Sequence, residues 1–424
     1  MTRAISQNPL RLVSLYSGAG GLDYGFEAAG FETSVAVEMD RDCCITLRAN
    51  RDWPVIERDI HEVPSAEILD VAGVNPGEVD ILIGGPPCQP FSKAAYWTLG
   101  DTKRLADPRS DTLGAYMRCV ADLKPKVFLL ENVLGISYSG KEEGFQLLYK
   151  LAEQVNKSQG TNYKLSWKVI SAADYGVPQL RTRFFMIGHR DGKSFDFPNP
   201  THGAELEDAL GQKGLFASKL HPFATAWDGI GDLEADIGGE NLNLRGRWAD
   251  LLASIPEGDN YLWHTNRKGG LPLFGWRTRY WSFLLKLAKN RPSWTIQAQP
   301  GPSIGPFHWK NRLLSAREMA RLQTFPDDVN ILGGRNSVQR QLGNAVPSLL
   351  AEVLARNIGQ QYFGRAYSSL PKLAVRQRLP MPDAEPLLPV PSKFLNLIGD
   401  YPDHPGTGKG NLHSKWVKAE MVPS

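Results

Sequence analysis

The sequence predicts an α/β protein with a doubly wound, mainly parallel sheet and a second, smaller and irregular domain. Through the first 190 residues, short β-branched or apolar runs alternate with helical patterns, which is typical of βαβ crossovers. Between residues 191 and 311 the rhythm breaks, because Gly, Pro and Trp become frequent and helix and strand signals shorten. Helical spacing returns from residue 312, which predicts that the chain re-enters the first domain.

Apolar runs and helical periodicity define the elements of this prediction. Strands are predicted at Leu12–Leu15, Thr33–Val37, Val79–Ile83, Val127–Leu130, Leu165–Ile170 and Phe184–Gly188. Helices are predicted at Leu22–Ala29, Asp111–Leu123, Glu143–Asn156, Ser315–Thr324 and Pro347–Phe363. The predicted domains are residues 1–190, which form the sheet, 191–311, which are irregular, 312–363, which return to the first domain, and 364–424, a Pro-rich C-terminal extension.

The extension holds nine prolines in 61 residues, which predicts a linker or an appendage docked at a few apolar points. The candidate docking residues are Phe394, Leu395, Leu397, Ile398 and Trp416.

Composition excludes several classes of protein. No run approaches 18 apolar residues and the N-terminus lacks the apolar core of a signal peptide, so we expect a cytoplasmic protein with no membrane span. The four cysteines, at 43, 44, 88 and 119, show no Cys–x–x–Cys or Cys/His spacing. The sequence therefore predicts neither a metal site nor a disulfide framework.

The net charge of +3 conceals a strongly basic segment. From His264 to Arg321 eleven Lys or Arg residues stand against one acid, Glu318, so this segment carries +10 and the remainder −7. Four tryptophans lie within the same segment. Basic residues interleaved with aromatics are typical of a surface that binds a polyanion, although a solvated basic surface would give the same count.

The first strand ends in "LYSGAGGLDYGF", a glycine-rich turn into a helix. Gly18, Gly20 and Gly21 allow the backbone to approach a ligand closely, and the helix N-terminus offers free N–H groups. A dinucleotide-binding loop of the dehydrogenase type is not predicted, because Asp23 stands where the third glycine belongs.

Acidic residues follow the next two strands. Glu38, in "VEMD", is placed to hold two ribose hydroxyls, and it is preferred over Asp40 because it directly follows the apolar run. Asp59, in "RDI", could accept from an adenine amino group. A structural helix cap remains an equally good interpretation of each acid taken alone.

The predicted strand Val79–Ile83 leads into "GGPPCQPFS", which holds Cys88 in a stiff loop of glycines and prolines. Glu131 closes the almost wholly apolar "FLLENV", where burial would raise its pKa and allow it to donate a hydrogen bond, unless it pairs with a buried arginine. Gln179, Arg181 and Arg183 alternate along "GVPQLRTRFF", so period-two spacing predicts one shared face aimed at an anion, a carbonyl or a flipped base.

In this order the motifs resemble the C5-cytosine DNA methyltransferase family. The matches are "LYSGAGG", Glu38, Asp59, the complete Pro-Pro-Cys-Gln-Pro-Phe-Ser at 86–92, Glu-Asn-Val at 131–133, Gln-x-Arg-x-Arg at 179–183, "RLLSAREMARLQTFPDD" and "QLGNAVP". They cover residues 10–190 and 294–363, and residues 191–311 resemble only the family's variable target-recognition region. One departure is Tyr16, where the family usually has Phe, so the added hydroxyl needs a partner.

The resemblance implies the Rossmann-like fold of S-adenosylmethionine-dependent methyltransferases and a reaction at C5 of a flipped cytosine. It implies the catalytic residues Cys88, Glu131, Arg181 and Arg183. It implies that S-adenosylmethionine is bound by Tyr16, Gly18, Gly20, Glu38, Met39, Asp59, Ile60, Asn344 and Ala345. The predicted DNA contacts are Ser92, Lys93, Arg109, Gln179, Arg277, Arg279, Lys310 and Arg312, with Lys103 and Arg104 in the same mobile loop as the first three.

The predicted partner is double-stranded DNA, bound by a nucleoid-associated monomer, and a cognate restriction endonuclease would act on the same site. Two rivals share the fold. A tRNA cytosine methyltransferase is disfavoured because its Cys-Phe-Thr motif is absent, and a silent DNA-binding regulator because Cys88 and Glu131 are both present.

Overall fold

A seven-stranded sheet lies at the centre of the protein. The computed structural model describes residues 9–87, 112–133, 143–203, 220–234, 238–276, 278–367 and 369–401. Strands β1 to β11 are, in order, Leu10–Leu15, Phe31–Glu38, Val55–Glu57, Ile81–Gly84, Val127–Asn132, Lys164–Ser171, Gln179–Leu180, Thr182–His189, His202–Gly203, His221–Pro222 and Ser293–Trp294. Helices α1 to α9 are Gly21–Ala28, Arg41–Asn50, Ser65–Ala72, Thr112–Leu123, Glu143–Gln159, Ala226–Ile230, Ala316–Leu322, Arg335–Asn344 and Ser348–Phe363.

The strand order is β3-β2-β1-β4-β5-β8-β6, which confirms the predicted doubly wound, mainly parallel sheet. Strands β3, β2, β1, β4 and β5 are parallel, whereas β8 runs antiparallel to both of its neighbours. The segment between β6 and β8 is too short for the crossover helix that a parallel pair requires. Strand order reverses between β1 and β4, and ligands of such sheets bind at the carboxyl ends beside that point.

Both faces of the sheet are covered, which explains the nearly continuous apolar runs of its strands. Successive residues of β1 enter opposite cores, because side chains alternate along a strand: Val13 packs with α4 and α5, whereas Leu12 packs with α1 and α9. Gly25 of α1 permits the close crossing with α9, since a Cβ there would lie 2.4 Å from the Ala351 Cβ. The chain thus returns to the sheet after its irregular part, as expected, while the exact domain boundaries stay predictions.

Residues 220–310 have short elements around a separate aromatic core. Short 3₁₀ helices at Ala249–Ser254 and Tyr261–His264 frame that core, which includes Phe274 and Phe283. The irregular character predicted for this region is therefore observed in its described residues. None of the helices in the described ranges is both long and apolar enough to cross a membrane.

The C-terminal extension crosses from the sheet to this aromatic core. Glu352 of α9 accepts hydrogen bonds from the backbone N–H groups of Lys372 and Leu373. Further along, Phe394 is 2% exposed and stacks on Trp248, with 5.5 Å between ring centroids. Of the other candidate docking residues, Leu397 is partly buried against the same core and Leu395 and Ile398 are exposed. Trp416 lies outside the described residues.

Replacing Phe394 by alanine is expected to lower the free energy of unfolding by about 3–5 kcal/mol, because removal of a buried ring leaves a cavity. Urea denaturation measures this loss. Leu395→Ala is the matched control on the same 3₁₀ turn: its side chain is 44% exposed, so the change should stay within about 0.5 kcal/mol. Equal losses in both variants would contradict docking through Phe394.

Candidate active site

The turn after β1 has the backbone geometry of a ligand-binding loop. Tyr16, Gly18 and Gly20 all have left-handed φ angles, of 55°, 55° and 86°. A Cβ on Gly21 would lie 2.3 Å from the Val346 carbonyl oxygen, so only glycine allows this contact. The predicted cofactor loop and the predicted segment at 344–345 are therefore neighbours, although they are more than 300 residues apart.

Glu38 ends β2 and fixes the glycine loop. Its Oε2 accepts from the Gly18 N–H at 2.7 Å and its Oε1 from the Asp40 N–H at 2.8 Å. Burial raises the pKa of Glu38 above its ordinary value. Asp40 instead caps α2 and pairs with Arg340 at 2.7 Å, so its carboxylate is already occupied. The structure thus places Glu38, rather than Asp40, beside the loop.

Asp59 caps the short 3₁₀ helix Ile60–Glu62, so the structural interpretation of this acid holds. Its Oδ1 accepts from the His61 N–H at 3.0 Å and lies 2.7 Å from His61 Nδ1, and these bonds lower the pKa of Asp59. Its Oδ2 accepts no hydrogen bond from the described residues, which leaves a lone pair for a ligand donor. Ile60 is buried, whereas Met39 is 65% exposed at the end of β2.

The loop after β4 is held by backbone carbonyls up to the residue before Cys88. Asn132 Nδ2 donates to the Pro86 carbonyl at 3.2 Å, and Thr112 Oγ1 donates to the Pro87 carbonyl at 3.0 Å. The Tyr16 hydroxyl donates to the Thr112 carbonyl at 3.0 Å, which supplies the partner that this tyrosine was expected to need. Thr112 therefore links the glycine loop to the loop before Cys88, a role that no sequence pattern predicts.

Glu131 and Arg183 form a buried ion pair beside the same loop. Arg183 Nε lies 2.9 Å from Glu131 Oε1, and both side chains are largely buried. Burial raises the pKa of Glu131, while the Arg183 and Arg181 guanidiniums oppose that rise. A Cβ on Gly85 would lie 2.9 Å from Glu131 Oε2, so the carboxylate contacts the backbone three residues before Cys88. Glu131 is therefore paired with a buried arginine, as one interpretation expected, and it also lies beside the loop that leads to Cys88, as the other required.

The antiparallel direction of β8 brings Arg183 to this site. Asn132, the last residue of β5, pairs with Phe184, so Arg183 lies just beyond the carboxyl end of β5. A parallel β8 would start at the opposite edge of the sheet. The topology therefore supplies an arginine at the edge where the parallel strands present their carboxyl ends.

Gln179 and Arg181 bind backbone groups of other segments and so hold the chain that leads to Arg183. Gln179 is buried, donates to the Leu322 carbonyl at 3.1 Å and accepts from the Ile296 N–H at 3.2 Å. Arg181 is also buried and donates to the Gly343 carbonyl at 2.8 Å. The predicted common face is observed for these two, but both are positioning residues. The burial of Gln179 argues against its predicted DNA contact.

Most of the basic segment is neutralised by acids or buried, which corrects the interpretation of its charge. Six of its eleven cations are bound: Lys268 to Asp259, Lys286 to the Ile255 carbonyl, Lys289 to Glu257, Lys310 to Glu385, Arg312 to Glu318 and Arg321 to Asp327. The Arg312 guanidinium holds both oxygens of the buried Glu318, so it is not available for the predicted DNA contact. The polyanion surface is smaller than the count indicates.

Several predicted residues lie outside the described ranges: Cys88, Ser92, Lys93, Lys103, Arg104, Arg109 and Arg277. Arg279 is described and exposed, and Asn344 and Ala345 are at least partly exposed beside the glycine loop. Within the described residues, no group of three or more His, Cys, Asp or Glu side chains could hold a metal ion.

Asp23 is a buried carboxyl behind the glycine loop whose burial the sequence did not predict. It lies in the first turn of α1, and neither of its oxygens has a hydrogen-bond partner among the described residues. The neighbouring Ser14 hydroxyl bonds to Ser17 at 2.8 Å. Burial raises the pKa of Asp23 from 3.8 to about 7. Between about pH 4 and about pH 7, the folded protein therefore keeps a proton on Asp23 that the unfolded chain releases.

This proton makes stability fall as the pH rises from about 4 to about 7, because the unfolded state then binds fewer protons than the folded state. Asp23→Asn removes the titration. The variant should be more stable than the parent at about pH 8, by up to about 4 kcal/mol, and close to it at about pH 4. Urea denaturation across this pH range tests the expectation, with the exposed Asp70→Asn as control. Parallel pH profiles of Asp23→Asn and parent would refute it.

Comparison with known proteins agrees with this geometry. The model of the C-5 cytosine-specific DNA methylase family matches residues 10–360. The chain is 38% identical over 395 residues to Type II methyltransferase M.SacI of Streptomyces achromogenes, covering 87% of this chain and 98% of that protein. It is 46% identical over 226 residues to Type II methyltransferase M.AquIA of Picosynechococcus sp., covering 53% of this chain and 88% of that protein.

Solved structures show the same fold at low identity. The methyltransferase EhMeth of Entamoeba histolytica superimposes with a TM-score of 0.55 at 15% identity, covering 84% of this chain and 99% of that one. The Dnmt2 methyltransferase of S. pombe gives 0.52 at 17% identity, covering 84% and 100%. With a family match over most of its length and a relative aligned nearly end to end, the chain belongs to the C-5 cytosine-specific DNA methylase family, the DNA (cytosine-5-)-methyltransferases.

Proposed function

We propose that this protein transfers a methyl group from S-adenosylmethionine to C5 of a cytosine flipped out of a specific duplex DNA sequence, through a covalent bond between Cys88 and C6. The observation that carries the proposal is the corner formed by Glu131, Arg183 and the loop at 85–87. Hydrogen bonds from Asn132 and Thr112 hold the Pro86 and Pro87 carbonyls. The residues that precede Cys88 are therefore fixed close to Glu131 and Arg183.

The described residues fit the proposed methyl donor, which supplies a methyl group on a positively charged sulfur. A Cβ at Gly18 would meet no described atom within 4 Å, so the glycine loop leaves open space at this position for a ligand. Glu38 would accept from the ribose hydroxyls, and the free Oδ2 of Asp59 would accept from the adenine amino group. Tyr16, Gly18, Gly20, Met39, Ile60, Asn344 and Ala345 would line the remainder of that site.

In the proposed reaction the Cys88 thiolate adds to C6 of cytosine, and a C6–S bond forms while C5 becomes nucleophilic. Glu131 would hold the N3 and N4 edge of the ring, and burial, which raises its pKa against the opposing charge of Arg183, would help it to share a proton with N3. Arg183 would hold O2, with Arg181 positioning it through the backbone. C5 would accept the methyl group as the bond between that methyl and the donor sulfur breaks, which leaves S-adenosylhomocysteine as the product. The C5 proton would then leave to a base and the C6–S bond would break, which restores the C5–C6 double bond and frees Cys88.

C5 is inaccessible in a stacked duplex, so the base must leave the helix at a cost of a few kcal/mol. The loop at 93–109 would close over the DNA, with Ser92, Lys93, Lys103, Arg104 and Arg109 on phosphates. Arg277 would add a contact from the irregular domain, whereas Lys310, which pairs with Glu385, would have to leave that carboxylate to do so. We further propose a monomer that acts in the cytoplasm on nucleoid DNA, paired with a restriction endonuclease for the same site.

Cys88→Ser is expected to reduce methyl transfer to duplex DNA by at least about three orders of magnitude, because a hydroxyl is a far weaker nucleophile. Glu131→Gln should reduce it by about 10²–10⁴-fold through loss of the acid. Transfer of labelled methyl groups from S-adenosylmethionine measures both, with cofactor binding as the folding control. Covalent capture on 5-fluorocytosine DNA should vanish in Cys88→Ser. Transfer to total tRNA alone, or undiminished transfer by Cys88→Ser, would overturn the proposal.

Cys88 should also be the thiol that alkylates in the native protein. Cys43, Cys44 and Cys119 are buried, and burial raises the pKa of each thiol, to about 12 for Cys44 and about 11 for Cys119. Since the thiolate is the reactive form, iodoacetamide at neutral pH should label the parent at Cys88 and leave Cys88→Ser unlabelled. Peptide mass spectrometry reads the outcome. Labelling of another cysteine at a comparable rate would contradict this expectation.

A further inference from the structure

Three neighbouring side chains form an exposed group that we call the 279–281 surface: Arg279, Tyr280 and Trp281. Tyr280 is 81% exposed and Trp281 is 46% exposed, and Tyr280 exceeds every other exposed large hydrophobic residue of the described chain. Aromatic rings carry large apolar areas, so their exposure to water is unfavourable unless a ligand covers them.

The backbone below this surface is held in place. The Tyr261 hydroxyl donates to the Arg279 carbonyl at 3.0 Å, and Asn260 Nδ2 donates to the Trp281 carbonyl at 2.7 Å. Asn260 and Tyr261 are themselves buried. The three side chains therefore stand on an ordered platform, and a ligand would not have to order the loop on binding.

The 279–281 surface contacts β11, which pairs with the short strand β7 just before Arg183. The Trp281 and Trp294 rings pack edge to face, with centroids 4.3 Å apart. Trp294 pairs with Leu180 in the β11–β7 ladder, and Leu180 precedes Arg183 by three residues. One packed ring thus separates the surface from the segment that carries Arg183.

Arg279 supplies a positive charge that no acid among the described residues neutralises. Its guanidinium lies 5.6 Å from the Phe283 ring centroid and forms no ion pair with a described residue. This distinguishes it from the six bound cations of the basic segment. An uncompensated guanidinium beside two exposed rings is suited to nucleic acid, because rings stack on bases or contact thymine methyl groups, and Arg reads guanine.

We propose that the 279–281 surface contacts the bases next to the target cytosine and thereby helps to determine which sequence is methylated. The inference rests on the proposed function and extends it to specific residues. Tyr280 and Trp281 make the apolar and stacking contacts, and Arg279 contacts an adjacent guanine. None of the three touches the reacting atoms.

The test compares Arg279→Ala, Tyr280→Ala and Trp281→Ala with parent on duplex DNA in which the base pairs beside the methylated cytosine are randomised. KM for the preferred DNA should rise about 10–100-fold in Tyr280→Ala, while kcat stays within about threefold and S-adenosylmethionine binding is unchanged. The preference among flanking sequences should relax. Tyr149→Ala, which removes another exposed aromatic from α5, is the control and should match the parent in all of these.

Unchanged KM and unchanged sequence preference in all three variants would overturn the inference. A uniform loss of affinity on every sequence, with a salt slope reduced by about one, would mean contact with phosphates and would overturn the base contact. Failure of the proposed function is distinguishable, because parent and Tyr149→Ala would then transfer no methyl group to any duplex. Melting temperatures close to the parent's confirm that Tyr280→Ala, the most exposed position, is folded.

Discussion

Arg183 and Glu131 meet at the carboxyl end of β5, where Nε and Oε1 lie 2.9 Å apart and mostly out of water. Removing either partner would leave an uncompensated buried charge, which costs several kcal/mol. The pair forms because β8 runs antiparallel and starts where β5 ends. The single inverted strand of the sheet therefore decides the chemistry available at its edge.

The segment 179–183 has a second duty, which is to join the parts of the chain. Gln179 and Arg181 both bind the peptide groups of Ile296, one through its N–H and the other through its carbonyl. Arg181 also holds the Gly343 carbonyl, directly before the Asn344–Ala345 turn that contacts the glycine loop. Residues 179–183 thus connect the irregular region and the returning helices to the pair of Glu131 and Arg183. A structural change in either region would therefore shift the position of Arg183.

Charge was the least reliable guide to the surface. The basic segment carries +10 as a sequence, yet Lys310 pairs at 2.8 Å with Glu385, which lies in the C-terminal extension. Arg312 likewise forms an ion pair with Glu318. An ion pair between residues far apart in sequence leaves no periodicity or spacing to read. Arg279, which forms no ion pair with a described residue, is a cation of this segment that remains a candidate for a polyanion contact.

The sequence by itself determined the strand and helix alternation, the glycine turn, and the position of Glu38 and Glu131 at the ends of β2 and β5, with Cys88 following β4 in the chain. These follow from local propensity and from the common edge of a parallel sheet. Tertiary structure alone decided that Asp40 caps a helix and pairs with Arg340, that Asp23 is buried with no hydrogen-bond partner in the described part of the chain, and that Gln179 is buried against the Leu322 carbonyl rather than exposed. Those outcomes depend on which side chain another part of the chain covers or binds. Burial and long-range pairing are properties of the packed molecule, and no local pattern encodes them.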